Sequence, residues 1–219
     1  MHYDPRDGSG LPHNPFKAVV APRPIGWISS VDAQGRANLA PYSFFNALAD
    51  APPMVMFSVC GRKEGLVGDV KDSLSNIRET GEFVANIVGW ELRDAMNESS
   101  GAHPVGVDEF ELAGLEKGAS VVVRPPRVAA APASLECVLH QEVVLPAEGE
   151  GMMNVMVIGR VVHVHLRDDL IVDGRFDITR CKPVARCGYK DYAVVNEVFE
   201  MSRPMGGDRW AHSTTAAAR

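Results

Sequence analysis

The chain has 219 residues, of which 46% are apolar and 23% charged, a composition typical of a globular protein with a core of ordinary size. Its formal net charge of −6 argues against a protein that neutralises nucleic-acid phosphates, because that task needs a basic surface. No segment reaches the roughly 18 apolar residues that span a membrane, and residues 1–16 lack the apolar stretch of a secretion signal. We therefore expect a cytoplasmic protein with neither nucleic acid nor a membrane as partner.

The first sixty residues predict β-structure. Residues 25–31 and 37–43 read as two strands on either side of the turn-forming residues 32–35, which predicts a hairpin. A third strand is predicted at residues 54–59, after two prolines that suit a loop better than a strand interior.

The spacing of apolar residues changes at residues 71–80, where it predicts a short helix. We expect Asp72 or Ser73 to cap the start of this helix and Gly81 to end it.

The second half of the chain predicts more strands than helices. A strand is expected at residues 83–88, a second helix at 91–99, and a path over the surface for the proline- and glycine-rich residues 101–127. Residues 134–145 and 153–166 read as two long strands of a second hairpin.

Many hairpin-linked strands with few helices favour an antiparallel barrel or sandwich over a parallel sheet. We expect one domain over residues 1–202. The tail, residues 203–219, lacks a core pattern and is predicted to be disordered.

The four cysteines, Cys60, Cys137, Cys181 and Cys187, have irregular spacing, so we expect reduced thiols rather than disulfides or a zinc knuckle. The nucleotide-binding, hydrolase and zinc-protease motifs GxGxxG, GxxxxGK[ST], GxSxG and HExxH are absent from the sequence.

A candidate anion site lies at the start of the short helix predicted at residues 71–80. Lys71, Ser73 and Asn76 combine a cation and polar groups with the positive end of a helix dipole, which suits a phosphate. The alternative is that Asp72 or Ser73 only caps the helix and that Lys71 is a solvated charge.

A candidate site for a flat heterocycle lies at residues 41–46. If these residues form one strand, Tyr42 and Phe44 point to one side and Ser43 and Phe45 to the other, so rings and hydroxyl groups are interleaved. The alternative is an aromatic core with a polar outer face.

Two segments, RPIGWISSVDAQGRANLAPYSFFNALADAPPMVMFSV and KDSLSNIRETGEFVANIV, resemble the flavin reductase-like family, which includes flavoredoxin-like proteins. The resemblance extends from about residue 14 to residue 192. It implies a mainly β fold, an FMN-binding split β-barrel of antiparallel Greek-key type with a few short helices.

The resemblance also implies a set of FMN contacts. The isoalloxazine ring would lie against the first strands and the segment after them, and the phosphate would lie at the start of the helix. The implied residues are Trp27, Ser29, Tyr42, Ser43, Phe44, Asn46 and Ser58 for the ring, and Arg62, Lys71, Asp72 and Ser73 for the phosphate. Asp72 would act through its backbone N–H or as a cap, since its carboxylate repels a phosphate.

This sequence departs from the family pattern because residues 64–70 separate the basic residues after the third strand from the helix. The longer loop could move Arg62 away from the phosphate, so Lys71 and Ser73 are the stronger candidates. Ser73 stands where the family usually has threonine, which keeps the hydroxyl group.

Two further groups of residues have simpler explanations than a ligand site. His163 and His165 share one face of a predicted strand, but without a third ligand at a recognisable spacing we predict no metal site. A basic group is expected to be solvated, although a pyridine-nucleotide phosphate could use one of its members. Its residues are Arg175, Arg180, Lys182, Arg186 and Lys190.

The resemblance therefore implies an NAD(P)H-dependent FMN reductase that binds FMN noncovalently and passes electrons to an acceptor. The flavin supplies the reactivity, so we predict no catalytic side chain. The alternatives are a flavin-storage or flavoredoxin-like electron-carrier module and, with less support, an oxidase of a pyridoxamine-like phosphate. A homodimer with FMN near the subunit boundary is expected, and a partner oxygenase could receive the reduced flavin.

Overall fold

The computed structural model describes residues 1–61, 70–104, 106–149 and 152–202. The predicted disorder of residues 203–219 and the position of Arg62 lie outside the described residues. Five α-helices are α1 (Phe16–Val19), α2 (Asp72–Thr80), α3 (Arg93–Glu98), α4 (Glu109–Leu112) and α5 (Ile178–Cys181), with 3₁₀ turns at Trp90–Leu92 and Asp168–Leu170, among the described residues. No helix in these ranges is long and apolar enough to cross a membrane.

Strands make up most of the regular structure, as predicted. They are β1 (Arg23–Pro24), β2 (Gly26–Val31), β3 (Ala37–Tyr42), β4 (Phe45–Asp50), β5 (Pro53–Cys60), β6 (Glu82–Ile87), β7 (Lys117–Gly118), β8 (Arg127–Val128), β9 (Ala133–Leu145), β10 (Asn154–Leu166), β11 (Ile171–Val172), β12 (Arg175–Phe176), β13 (Val184–Gly188) and β14 (Asp191–Val194). Both predicted hairpins are confirmed, since β2 pairs with β3 and β9 with β10.

The main sheet is antiparallel and has seven strands in the order β3-β2-β6-β9-β10-β5-β4. In a flat sheet its two edge strands would lie about 29 Å apart, at about 4.8 Å per strand. Only Ser43 and Phe44 connect these edge strands, and three Cα–Cα steps span at most about 11 Å. The sheet must therefore curl into a barrel.

The seam between β3 and β4 is closed by side chains rather than by a ladder of hydrogen bonds between these two strands. The Tyr42 ring packs on Phe57 with centroids 4.8 Å apart. The Phe44 carbonyl oxygen accepts a hydrogen bond from the Ser58 amide over 2.8 Å. The barrel is thus split at this seam, which is where β3 ends.

The prediction of one strand over residues 41–46 is wrong. The chain bends at Ser43 and Phe44, and β4 is a separate strand that pairs with β5. Because the bend breaks the alternation, Tyr42 and Phe45 both lie in the barrel core.

Helix α2 agrees with the prediction in extent but not in its capping. The N-cap residue is Lys71 rather than Asp72 or Ser73, and the Lys71 side chain makes no capping hydrogen bond. Gly81 ends it in the left-handed conformation with φ 73°, as expected for a glycine C-cap. Leu74 and Ile77 are completely buried and pack α2 against the barrel core.

The predicted surface path of residues 101–127 is wrong for its middle. Phe110 in α4 is completely buried in a second core with Trp27, Leu39 and Val128, outside the barrel. This segment therefore forms a wall over β3 instead of a solvent-exposed excursion.

Glu136 on β9 ties the following loop to the sheet. Its carboxylate is completely buried and accepts hydrogen bonds from the Val121, Val122 and Val123 amides over 2.7–3.0 Å. His165 Nε2 lies 2.6 Å from Oε1 of the same carboxylate. Burial alone would raise the pKa of Glu136, but these hydrogen bonds outweigh it and lower the pKa to about 2.

Replacing Glu136 with glutamine should lower the free energy of unfolding by about 1–3 kcal/mol at pH 6, because the carboxamide turns a donor toward backbone amides. In the unfolded chain this carboxyl has an ordinary pKa of 4.5, so the wild type loses the contribution as the pH falls from about 5 toward 2. Urea unfolding at pH 6 and pH 3 should show a smaller difference between variant and wild type at pH 3. An equal difference at both pH values, or the same effect in the exposed control Glu148→Gln, would contradict this role.

The seam offers a second prediction, at Gly26. A Cβ at this position would lie 2.5 Å from the Phe45 ring, which is buried. Gly26→Ala should therefore cost about 1–3 kcal/mol through overpacking, measured by urea unfolding. The same substitution in a Phe45→Leu background should cost less. Equal costs in both backgrounds would show that the ring does not set the limit.

Candidate functional site

Two cavities meet at the seam, where both are bordered by Pro41 and Ser100. We call the first, with a volume of about 510 Å³, the helix cavity because it opens at the start of α2. Its described lining residues are Asn38, Ala40, Pro41, Tyr42, Cys60, Gly61, Lys71, Asp72, Ser73, Ser99, Ser100, Gly101, Ala102, His103, Glu109 and Met152. This volume falls in the range of small-molecule sites, about 300–1,000 Å³.

A buried hydrogen bond at the base of the helix cavity holds Ser73. Asn38 Nδ2 donates to Ser73 Oγ over 2.9 Å, and both side chains are buried. The Ser73 hydroxyl also acts on the Tyr42 phenol, whose pKa it lowers. Burial is the largest effect on that phenol and raises the pKa of Tyr42 to about 12, so it keeps its proton at neutral pH.

Two lysines set the potential near the mouth. Lys71 Nζ lies 5.7 Å from the centroid of the Tyr42 ring. Burial raises the pKa of the Cys60 thiol, and the charges of Lys71 and Lys17 partly oppose this rise. Cys60 thus lies within the field of both lysines, one on each side of the seam.

The segment after α3 supplies the opposite wall. Glu109 is 5% exposed and accepts a hydrogen bond from the Leu39 amide over 2.9 Å, while burial raises the pKa of its carboxyl. His103 packs against Gly101, where a Cβ would lie 2.6 Å from His103 Nε2. That nitrogen is buried and has no hydrogen-bond partner.

The second cavity, the arginine cavity, has a volume of about 490 Å³ and lies on the other side of Pro41. Its described lining residues are Asn14, Lys17, Arg23, Ile25, Pro41, Ser43, Met96, Ser100, Arg186, Gly188, Tyr189 and Tyr192. Phe44 lies beside it, with its ring centroid 6.0 Å from Lys17 Nζ and 5.8 Å from Arg23 Cζ.

The structure brings some of the predicted site residues together. Tyr42, Lys71, Asp72 and Ser73 line the helix cavity. Ser43 lines the arginine cavity and Phe44 lies next to its cations. The described residues predicted to contact the phosphate therefore lie on one side of the seam, and some of those predicted to contact the ring lie on the other.

Four other predicted residues line neither of these two cavities. Trp27 is completely buried behind Ser99, which lines the helix cavity, and its Nε1 donates to Ser99 Oγ over 2.9 Å. Ser29 is also completely buried and donates to the Pro126 carbonyl oxygen. Asn46 is exposed and Ser58 half-buried, on the paired strands β4 and β5.

Sequence reasoning missed the contribution of Asn38, His103 and Glu109 to the helix cavity. The contribution of Asn38 could have been inferred only from the register of the first hairpin, which places this residue near α2. A further signal was available at Asp108, whose side chain caps α4 by accepting from the Phe110 amide and so orients Glu109.

The structure supplies a third group beside His163 and His165. One possible ligand atom from each of Glu136, His163 and His165 lies within 4.8 Å of the others. The Glu136 oxygens, however, already accept three backbone amides and face His165. The geometry therefore favours a structural hydrogen-bond cluster.

Comparison with known proteins decides the family. Residues 20–179 match the model of the flavin reductase like domain, which is more than half of the chain. The chain belongs to the flavin reductase-like family. A relative from Halalkalibacterium halodurans, described as uncharacterized, is 37% identical over 186 residues, which are 85% of this chain and 88% of that protein.

Solved structures of flavin reductase-like fold match the whole barrel. Nitrilotriacetate monooxygenase component B from Bacillus cereus is 32% identical with a TM-score of 0.81, over 92% of this chain and 98% of that one. The 2-nitrobenzoate 2-nitroreductase NbaA from Pseudomonas fluorescens is 27% identical with a TM-score of 0.74, over 87% and 89%. The predicted family and the mainly β split-barrel fold are confirmed.

Proposed function

We propose that this flavin reductase-like protein binds FMN noncovalently in the helix cavity, accepts a hydride from NADH or NADPH on it, and passes the electrons to an acceptor. The observation that carries the proposal is the combination in one cavity of a helix start, Lys71, the Ser73 hydroxyl and the Tyr42 ring. The similar structures named above, a monooxygenase component and a nitroreductase, support a role in oxidoreduction.

The start of α2 suits the phosphate of FMN. The first turn of a helix leaves backbone N–H groups without partners inside the helix, and its dipole favours an anion. The N-cap side chain, Lys71, makes no capping hydrogen bond, and the Ser73 hydroxyl accepts from Asn38 Nδ2. Lys71 adds a positive charge, whereas Asp72 would contribute through its backbone only.

The bend at Ser43 and Phe44 suits the flavin ring, because it exposes backbone and side-chain groups between the two cavities. When bound, the flavin supplies the hydride-accepting centre, so the protein has to bind, orient and shield it. The Tyr42 phenol stays protonated at neutral pH because burial raises its pKa to about 12, which gives the site a neutral hydrogen-bonding group.

A homodimer with FMN near the subunit boundary and a partner oxygenase as one outlet for electrons belong to the same proposal. Light scattering, which measures the mass of the particle in solution, tests the homodimer. Retention of FMN through gel filtration separates a prosthetic group from a flavin that is released to a partner.

The phosphate position predicts the behaviour of three helix variants. Lys71→Met and Ser73→Ala should each weaken FMN binding about tenfold, because each removes a charged or hydroxyl partner of the phosphate. Ser75→Ala, an exposed position on the same helix, should bind like the wild type. Quenching of FMN fluorescence gives the dissociation constants, and thermal melting shows whether Ser73→Ala remains folded. Wild-type affinity in both cavity variants would contradict the placement.

The hydride step predicts that NADH or NADPH bleaches the visible absorption of FMN-loaded protein under anaerobic conditions. Readmission of oxygen or of an acceptor should restore the yellow colour. If the colour persists with both nicotinamides while FMN remains bound, the protein is a flavin-storage or electron-carrier module instead.

A further inference from the structure

The arginine cavity is lined by charged residues of one sign. Among its described lining residues three are cationic, Lys17, Arg23 and Arg186, and none is acidic. The whole chain carries a formal net charge of −6. By contrast, the helix cavity sets Lys71 against Asp72 and Glu109. A concave surface lined by one sign of charge concentrates ligands of the opposite sign.

Arg23 is the strongest sign of a built site. It is only 6% exposed, and its Nη1 donates to the Lys17 and Val20 carbonyl oxygens at the end of α1. Its Nε is buried without a hydrogen-bond partner. A desolvated guanidinium without a counter-charge is costly, and within the described chain none of Lys17, Arg23 and Arg186 forms an ion pair with a carboxylate. An anionic ligand would offset this cost.

Aromatic rings stand beside these cations. The Arg186 guanidinium lies 4.5 Å from the centroid of the Tyr192 ring, and Tyr189 lines the same cavity. Phe44 lies against Lys17 and Arg23 on the seam side. Tyr189 and Tyr192 are 49% and 41% exposed, so the cavity is open to exchange with solvent. This mixture suits a flat ring that carries an anionic group.

We propose that the arginine cavity binds the anionic group of the flavin's reaction partner, a ring compound with a carboxylate or phosphate. This inference rests on the proposed function, since the shared border at Pro41 and Ser100 would place such a ligand beside a flavin in the helix cavity. Two reaction partners of a flavin carry both a ring and an anionic group. They are the nicotinamide donor, through its phosphates, and an aromatic acceptor, through its carboxylate.

The experiment uses the full chain, loaded with FMN and free of it, and titrates it with benzoate and with NAD⁺ or NADP⁺, which do not reduce the flavin. The variants are Lys17→Gln and Arg186→Gln, both less buried than Arg23, whose replacement could unfold the α1 region. Arg160→Gln, exposed on β10 and outside both cavities, is the matched control. Calorimetry gives affinity, and perturbation of the flavin absorption reports proximity to the ring.

We expect at least one probe to bind, with affinity that falls as salt rises and falls about tenfold or more in Arg186→Gln but not in Arg160→Gln. Dependence on Arg186 for benzoate indicates an acceptor carboxylate, and for the dinucleotides it indicates the donor. Binding of neither probe, or equal affinity in the Lys17 and Arg186 variants and the wild type, would overturn the proposal.

Measurement of FMN affinity in the same variants separates the two proposals. If Arg186→Gln loses FMN while Ser73→Ala keeps it, the cavity holds the flavin's own phosphate and both placements fail. If the wild type binds no FMN, calorimetry on the FMN-free protein still decides whether the cavity takes an anion.

Discussion

The structure depends on one constraint, the two-residue connection between the strands at opposite edges of a seven-stranded sheet. Ser43 and Phe44 are too short a link for a flat sheet, so the sheet closes on itself and brings β3 next to β5. Closure places the Tyr42 ring on Phe57 and leaves the bend between two cavities. Gly26 makes this possible because it leaves room for the Phe45 ring at the seam.

The seam also divides the charges. On one side, α2 offers its first turn, Lys71 and the Ser73 hydroxyl group, which Asn38 holds by a hydrogen bond. On the other side lie Arg23 and two further cations with no carboxylate among the described lining residues. A flavin and an anionic reaction partner placed on these two sides would meet at the bend, where the barrel backbone rather than a mobile side chain sets their separation.

The fold could be predicted from sequence because its signals are local. Alternation and turn residues identified the two hairpins, and helical spacing with Gly81 identified α2. Burial of Glu109 and Phe110 within residues 101–127 could not be predicted, because it depends on tertiary contacts, including that of Glu109 with β3, that no local pattern encodes. The bend at Ser43 was missed for a similar reason. Residue types typical of strands, Tyr42, Phe44 and Phe45, continue through it, and only closure of the barrel requires the chain to turn there.

The same distinction holds for the site. The helix-start residues Lys71 and Ser73 were candidates from their position and were favoured by the family resemblance, whereas Arg23, His103 and Arg186 reach the cavities only through the tertiary fold. Trp27 and Ser29 carry residue types suited to a flavin contact, but their side chains are used inside the protein, on Ser99 and Pro126. Residue type alone does not distinguish a core partner from a ligand contact.

In the proposed complex, the start of α2 holds the FMN phosphate. A crystal structure of the protein with FMN bound would test this placement through the position of the phosphorus atom. The placement predicts phosphate oxygens within hydrogen-bond distance of the first-turn amides of α2 and of Ser73. A phosphate bound instead to Arg23 and Arg186 in the arginine cavity would contradict it.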